Sequence, residues 1–274
     1  MSIHYPKKES YNVEDLRRIV EHLRSEEGCP WDREQTHESI RQDLLEETYE
    51  AAEAIDLQDT ELLKEELGDV LLQVVLHSRM EEEKGSFDFD AVCDGICRKL
   101  ITRHPHVFAD VNVENTDEVL TNWEKIKQES KGQSSQSEAA KSVPKTFPAL
   151  MRAQKVQKRA GKAGFDYPDA IWCMDDLEDS LDQLQEAMDE EDKAACEKEL
   201  GNTLFSLVNV ARKLDLNAEQ ALPKATARYI RRFEQVEKLA KQQGIKLDPD
   251  MTGELMDLWS EAKELDERDT DSED

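Results

Sequence analysis

Residues that interrupt a helix are scarce in this chain: glycine occurs 10 times and proline 8 times in 274 residues. Aromatic residues make up only 6%. Glu, Leu, Ala, Lys and Gln fill the space, and such a composition reads as an all-α fold. The five cysteines (Cys29, Cys93, Cys97, Cys173, Cys196) are odd in number and contain no CxxC pair. That excludes a disulfide framework or a structural zinc site and fits a reducing cytoplasm. Basic residues number 36 against 63 acidic ones, for a net charge of −27. A nucleic acid polymer needs clustered Lys and Arg, so it is excluded as a partner, whereas a small phosphate ligand brought in by a metal ion is not. No apolar run approaches the roughly 20 residues of a membrane span, and MSIHYPKKESYNVEDL has no signal-peptide core. The expectation is a soluble cytoplasmic protein with no membrane partner. There is also no GxxxxGK[ST] or GxGxxG, so a nucleotide would be held by metal and cations rather than a glycine cradle. No Ser/His/Asp or Cys/His arrangement suggests itself.

What is present is helical periodicity. Apolar residues recur at helix spacing over 13–26, 40–57, 62–83, 89–103 and 116–128. Leu63, Leu67, Val70, Leu71, Val74 and Val75 form the clearest stripe. Gly28 to Asp32 reads as a turn anchored in the core by Trp31, and Asp59 or Thr60 as an N-cap. Pro105 should end the fifth helix, with His104-Pro105-His106 a terminating loop. KGQSSQSEAAKS, from Lys131 to Ser142, reads as a flexible linker. The residues from Leu265 onward read as a solvated acidic tail.

The chain also repeats itself. LEETYE at 45–50 returns as LEDSLD at 177–182, and EELGDVLLQVVLHSR at 65–79 as KELGNTLFSLVNVAR at 198–212. Lys99, Arg103 and Phe108 return as Lys224, Arg228 and Phe233, and Trp123-x3-Lys127 as Trp259-x3-Lys263. At a period of ~130 these are duplicated domains, since solenoid repeats run about 20–50 residues. The expected layout is a helical module over 1–130, a linker over 131–146, a second module over 147–264 and a tail over 265–274.

Inside the repeat lies a costly choice. Residues three apart share a helix face, so Glu47 and Glu50 project together, as do Glu66 and Asp69. Each pair borders an apolar stripe, and two antiparallel helices joined by a short turn at 58–61 would bring the pairs face to face. Four carboxylates in a partly dry site must take up protons or a cation. Oxygen-only ligands suit a hard ion, with Mg²⁺ the default where phosphates complete the shell. A lone EExxE is more often a solvated face; two such pairs on successive helices, repeated, point to a site. Lys99 with Arg103, and Trp123 with Lys127, each share a face and suit phosphate and base contacts. Lys224, Arg228, Trp259 and Lys263 offer the same in the second module.

EExxE at 46–50 and ExxD at 66–69, with GCPWD before them, RHPHVFAD after, and FPALMRAQKVQKRAGKAGFD at 147–166, resemble the MazG-type nucleoside triphosphate pyrophosphohydrolases. The resemblance covers nearly the whole chain. It implies two all-α modules, a homodimer, and hydrolysis of nucleoside triphosphates such as ATP to monophosphate and pyrophosphate with Mg²⁺, or Mn²⁺ in its place. Carried over, Glu47, Glu50, Glu66 and Asp69 would be the metal ligands and Glu46 an outer group or the base that positions water. Lys99, Arg103, Trp123 and Lys127 would contact the nucleotide. The second module departs from the pattern, with Asp179, Asp182 and Glu199 as weaker metal candidates and Asn202 in place of a carboxylate. In some members of the family the C-terminal module is the catalytic one. The residues here favour the N-terminal module, with the C-terminal one a weak site, a nucleotide-binding regulator or a dimerisation scaffold. The competing readings are an acidic helical adaptor without catalysis, and a dUTP- or phosphoribosyl-ATP-directed pyrophosphohydrolase.

Overall fold

The structure is a computed structural model that describes residues 5–113, 115, 116, 118, 119, 122, 123, 126 and 136–271, with backbone alone at 136 and 268–271. The chain divides into two compact units, Met1–Lys131 and Gly132–Asp274. All regular elements among the described residues are helices. None of these helices is long and apolar enough to cross a membrane.

The N-terminal unit contains α1 (Val13–Leu23), α2 (Pro30–Glu34), α3 (Arg41–Asp56), α4 (Thr60–Glu83), α5 (Phe89–Arg103) and α6 (Pro105–Phe108). Asn12 caps α1 through a reciprocal capping box with Asp15, which satisfies donors that the first turn leaves orphaned. α3 and α4 form an antiparallel hairpin joined by Leu57, Gln58 and Asp59. Gln58 takes the left-handed conformation (φ 56°), and Asp59 accepts from the Glu61 and Leu62 amides to start α4. α1 packs across α4, and Val20, Ile40, Val75, Leu76 and Met80 meet there as the buried core.

Two expectations for this unit need correction. The α4 stripe does not all face inward: Leu67 and Leu71 are 53% and 38% exposed, and the buried residues are Gln73, Val75, Leu76, Ser78 and Met80. α4 therefore carries two apolar faces, of which α1 covers one. Trp31 is not a core anchor but is 60% exposed. Pro30 opens a five-residue helix that buries nothing, and the chain is fixed instead by Gly28, where a Cβ would lie 2.1 Å from the His22 carbonyl oxygen. Pro105 does end α5, at Arg103, and begins the short α6.

A polar cluster pins the segment before α3 to α4. The rings of His37 and His77 stack at 5.0 Å, with their Nδ1 atoms 2.7 Å apart. His37 Nε2 lies 2.6 Å from Glu81 Oε1. Hydrogen bonds from Lys84, His37 and Ser86 hold the Glu81 carboxyl down at about 2, while burial and then His37 push the His77 imidazole below its ordinary value. The sign follows from proton counting. The unfolded chain takes up protons near pH 6.5 that folded His77 refuses, so His77's contribution is complete above that pH and lost on acidification. Glu81's contribution, complete above 4.5, is lost lower still, towards 2. The melting temperature of this unit should fall between pH 7 and pH 5, with a shallower slope in His77→Phe; equal slopes in thermal scans would refute this assignment.

The C-terminal unit contains α7 (Gln136–Lys141), α8 (Ala149–Lys162), α9 (Ala170–Asp189), α10 (Lys193–Lys213), α11 (Ala218–Gln243), a 3₁₀ turn (Pro249–Met251) and α12 (Thr252–Asp271). α9 and α10 form a hairpin like that of α3 and α4. Glu191 is left-handed (φ 54°) and Asp192 caps α10, each 133 residues after its counterpart Gln58 or Asp59. α8 packs on α10, and α11 pairs with α12 around Val236, Ala240, Leu258 and Ala262.

Here too the structure revises the reading. Residues 131–135 of the expected linker lie outside the described residues, but α7 occupies 136–141 and packs on α8. Val143 is buried, and Arg159 donates to Ser142 Oγ and the Ala139 carbonyl, so Ala-rich SEAAK behaves as a docked helix despite its polar flanks. The expected tail is likewise helical to Asp271. Asp266 is buried against Arg231 and Arg232 of α11, which give it a reason to leave solvent.

Candidate metal centre

The α3–α4 hairpin sets two short acidic motifs against each other. Glu47 comes from the middle of α3, and Glu66 and Asp69 lie one turn apart near the start of α4. One carboxylate oxygen from each of the three lies within 4.8 Å of the others. This is the only such His/Cys/Asp/Glu group among the described residues. All three side chains are partly buried, whereas Glu46 and Glu50 are exposed. Glu50 adjoins Glu66 by charge and by a side-chain hydrogen bond.

The electrostatics register the crowding. Burial, then Asp69, Glu50 and Glu66, pushes the Glu47 carboxyl above its ordinary value. Glu66 is raised by burial, then by Glu50 and Asp69. No basic side chain forms an ion pair with Glu47, Glu66 or Asp69 among the described residues. Three oxygen donors in a half-dry pocket without a cation of their own fit a hard divalent ion. Glu46 stands apart, accepting from Gln42 Nε2 at 3.2 Å.

In the C-terminal unit the corresponding buried acid, Glu199, has its charge compensated. Lys198 stands where α4 has Glu65, and its Nζ lies 2.5 Å from Glu199 Oε1. Asn202, in place of Asp69, donates to the other oxygen of Glu199 at 2.8 Å. Lys198 first, then Asn202, hold the buried Glu199 carboxyl below its ordinary value. Asp179 and Asp182 are exposed. A lysine and an amide thus satisfy the charge that Glu47, Glu66 and Asp69 leave unsatisfied. The Glu65-to-Lys198 change was visible in the alignment of the two repeats, but its meaning needed the side-chain contact.

Some of the cationic and aromatic candidates pair with each other within each unit. The Arg103 guanidinium lies 5.0 Å over the Trp123 ring. Lys99 is exposed, and Lys127 lies outside the described residues. In the C-terminal unit Lys263 approaches the Trp259 ring at 5.9 Å, and Tyr229 lies 4.8 Å from the same ring. Lys224 and Arg228 are exposed.

The site is thus a helical hairpin carrying an EExxE and an ExxD motif, with three of the acids, Glu47, Glu66 and Asp69, turned towards one point. Residues 35–108 match the MazG nucleotide pyrophosphohydrolase domain. Over 254 residues the chain is 42% identical to a nucleoside triphosphate pyrophosphohydrolase of Escherichia coli, covering 92% of this chain and 97% of that protein. It is also 42% identical over 254 residues to a nucleoside triphosphate pyrophosphohydrolase/pyrophosphatase MazG of Thermotoga maritima, covering 93% and 96%. An uncharacterized protein of Bacillus subtilis, YabN, is 47% identical over 92% of this chain and 52% of its own length. The chain belongs to the MazG nucleoside triphosphate pyrophosphohydrolase family.

Proposed function

We propose that the N-terminal unit is the catalytic one, with Glu47, Glu66 and Asp69 holding Mg²⁺ and Glu50 completing the acidic wall beside Glu66. The enzyme is a hydrolase of acid anhydrides that converts nucleoside triphosphates to monophosphate and pyrophosphate. The observation that carries the choice of unit is the contrast between the two hairpins. They share one turn geometry, yet Glu66 is raised by burial and by its acidic neighbours while Glu199 is compensated by Lys198 and Asn202.

When bound, Mg²⁺ offsets the charge of the phosphate oxygens and aligns the phosphate for in-line attack by water. The chain's own residues do the rest. Glu46, next to Glu47 on α3 but on the solvent side, positions the attacking water. Lys99 and Arg103, one turn apart on α5, meet the phosphates, and the Arg103–Trp123 pair gives the base a flat partner.

The half-exposed strip of Leu67, Leu71, Ile96 and Leu100 supports a homodimer in which a second copy covers α4 and α5. A cytoplasmic setting agrees with five cysteines that all stand as free thiols. The direct test is product analysis with Mg²⁺ and each nucleoside triphosphate. Monophosphate and pyrophosphate are expected, whereas diphosphate with orthophosphate, or no turnover, removes the reading. Asn202→Asp should leave the rate unchanged, because Lys198 still pairs with Glu199 while Asp179 and Asp182 are exposed. A gain of turnover in that variant would move the activity to the other unit.

A further inference from the structure

Gln73 lies one turn beyond Asp69 on α4 and is buried, at 6% exposure. Its Oε1 is shut away from solvent and has no hydrogen-bond partner among the described residues. A buried amide oxygen left unpaired costs the fold stability, so native proteins rarely keep one without a use for it.

Helix phase fixes the direction of that side chain. At about 100° per residue, Gln73 stands about 20° from Glu66 and about 40° from Asp69, between the two on one face of α4. Helical side chains lean back over the turn that precedes them, which tilts Gln73 towards Asp69. The facing helix agrees. Glu50 bonds to Glu66 and Glu47 meets Asp69, and the same antiparallel register sets Asp43 opposite Gln73. Asp43 adds to the charge that raises Glu47. On this face Gln73 Oε1 therefore adjoins carboxylates, and an ionised carboxylate cannot donate to it.

The C-terminal unit treats the same position differently. Ser206, 133 residues on, is a donor, and its hydroxyl donates to Asp176 Oδ2 at 2.6 Å. Where Lys198 and Asn202 compensate the acid, the polar group one turn further on is satisfied as well. Where Glu47, Glu66 and Asp69 gather without a basic partner, it is not.

We propose that Gln73 is a positioning residue of the metal centre, with Oε1 accepting a hydrogen bond from a water on the ion. Mg²⁺ keeps several of its waters, and each is a strong donor of the kind this oxygen lacks. The inference rests on the reading that Glu47, Glu66 and Asp69 hold Mg²⁺.

The test is a Mg²⁺ titration of the full chain without nucleotide, read by calorimetry as the rise in melting temperature of the N-terminal transition. Gln73→Met keeps the length of the side chain and removes its acceptor. It should weaken Mg²⁺ binding at least about tenfold, the usual effect of deleting a partner in the outer shell of a metal. The metal-free melting temperature should stay level or rise, because an unpaired buried oxygen is gone. Gln73→Glu retains an acceptor at the same reach and should bind Mg²⁺ within about threefold of the unaltered chain, or more tightly. A smaller loss in Gln73→Met, or a larger one in Gln73→Glu, overturns the proposal. So does a lowered metal-free melting temperature in Gln73→Met, which would make Gln73 a structural residue only. A water shared by Gln73 and His77 alone, whose Nε2 is likewise buried and unpartnered one turn on, would leave Mg²⁺ affinity unmoved and overturn it too. An unaltered chain with no Mg²⁺ shift removes the metal centre itself, whereas a shift that Gln73→Met leaves intact removes the role of Gln73 alone.

Discussion

Glu66→Gln and Asp69→Asn are each expected to lower pyrophosphate release by about a thousandfold while raising the melting temperature of the metal-free chain. The two effects have one cause. Glu66 is lifted above its ordinary carboxyl range by burial and by Glu50 and Asp69, so at neutral pH its ionised form costs the fold stability. A raised carboxyl binds protons that the unfolded chain has already released, and stability is therefore lost as pH rises through the folded value. An isosteric amide removes that cost. It also removes a donor that a divalent ion needs, since a neutral amide oxygen contributes far less to a hard cation than a carboxylate. A variant with lost turnover and lost stability would mean merely a damaged fold, and one that keeps its rate would dismiss the site. The parallel change Glu199→Gln should do the reverse, lowering stability with turnover unaffected, because Glu199 is paired with Lys198 and Asn202.

Mg²⁺ is expected to raise the melting temperature of the N-terminal unit by on the order of 10 °C at a hundredfold excess over its dissociation constant. A ligand that binds only the folded state contributes about 2.7 kcal/mol at that excess, and a domain of this size shifts by several degrees per kcal/mol. EDTA should reverse the shift. The C-terminal unit should unfold at a temperature insensitive to the metal, because Lys198 already compensates Glu199. Calorimetry that resolves the two transitions decides the matter: a shift in the C-terminal transition alone would assign the metal to the wrong unit here.

The all-α class, the hairpin at residues 41–83 and the meeting of Glu47, Glu66 and Asp69 were legible in the sequence, because helix period and i,i+3 spacing translate directly into shared faces. Glu50 was placed with them on the same logic. It stays exposed and joins the others through Glu66. Tertiary choices were not legible. A stripe of Leu and Val does not say which of two faces α1 will cover, and Leu67 and Leu71 were read inward on pattern alone. Helix α7 hid behind a Gly/Ser/Gln flank, and Asp266 looked like tail until Arg231 and Arg232 gave it a buried partner.

The left-handed residue between the hairpin helices acts as an indexing pin. Gln58 and Asp59 fix where α4 begins, and each added residue would turn the helix by about 100° and swing Glu66 off its bearing. The phase is kept in both halves, where Glu191 and Asp192 sit 133 positions on, as does Glu199 from Glu66. Length changes fall before the pin as well as after α4, so that Glu46 and Glu178 stand 132 apart, Lys99 and Lys224 125 apart, and Trp123 and Trp259 136 apart. The C-terminal half therefore kept the bearing of Glu199, while the acids of α9 stand one position out of step with the pin and Asp179 and Asp182 are exposed. A route back to a second metal-holding site would have to reset the register of α9 as well as its side chains.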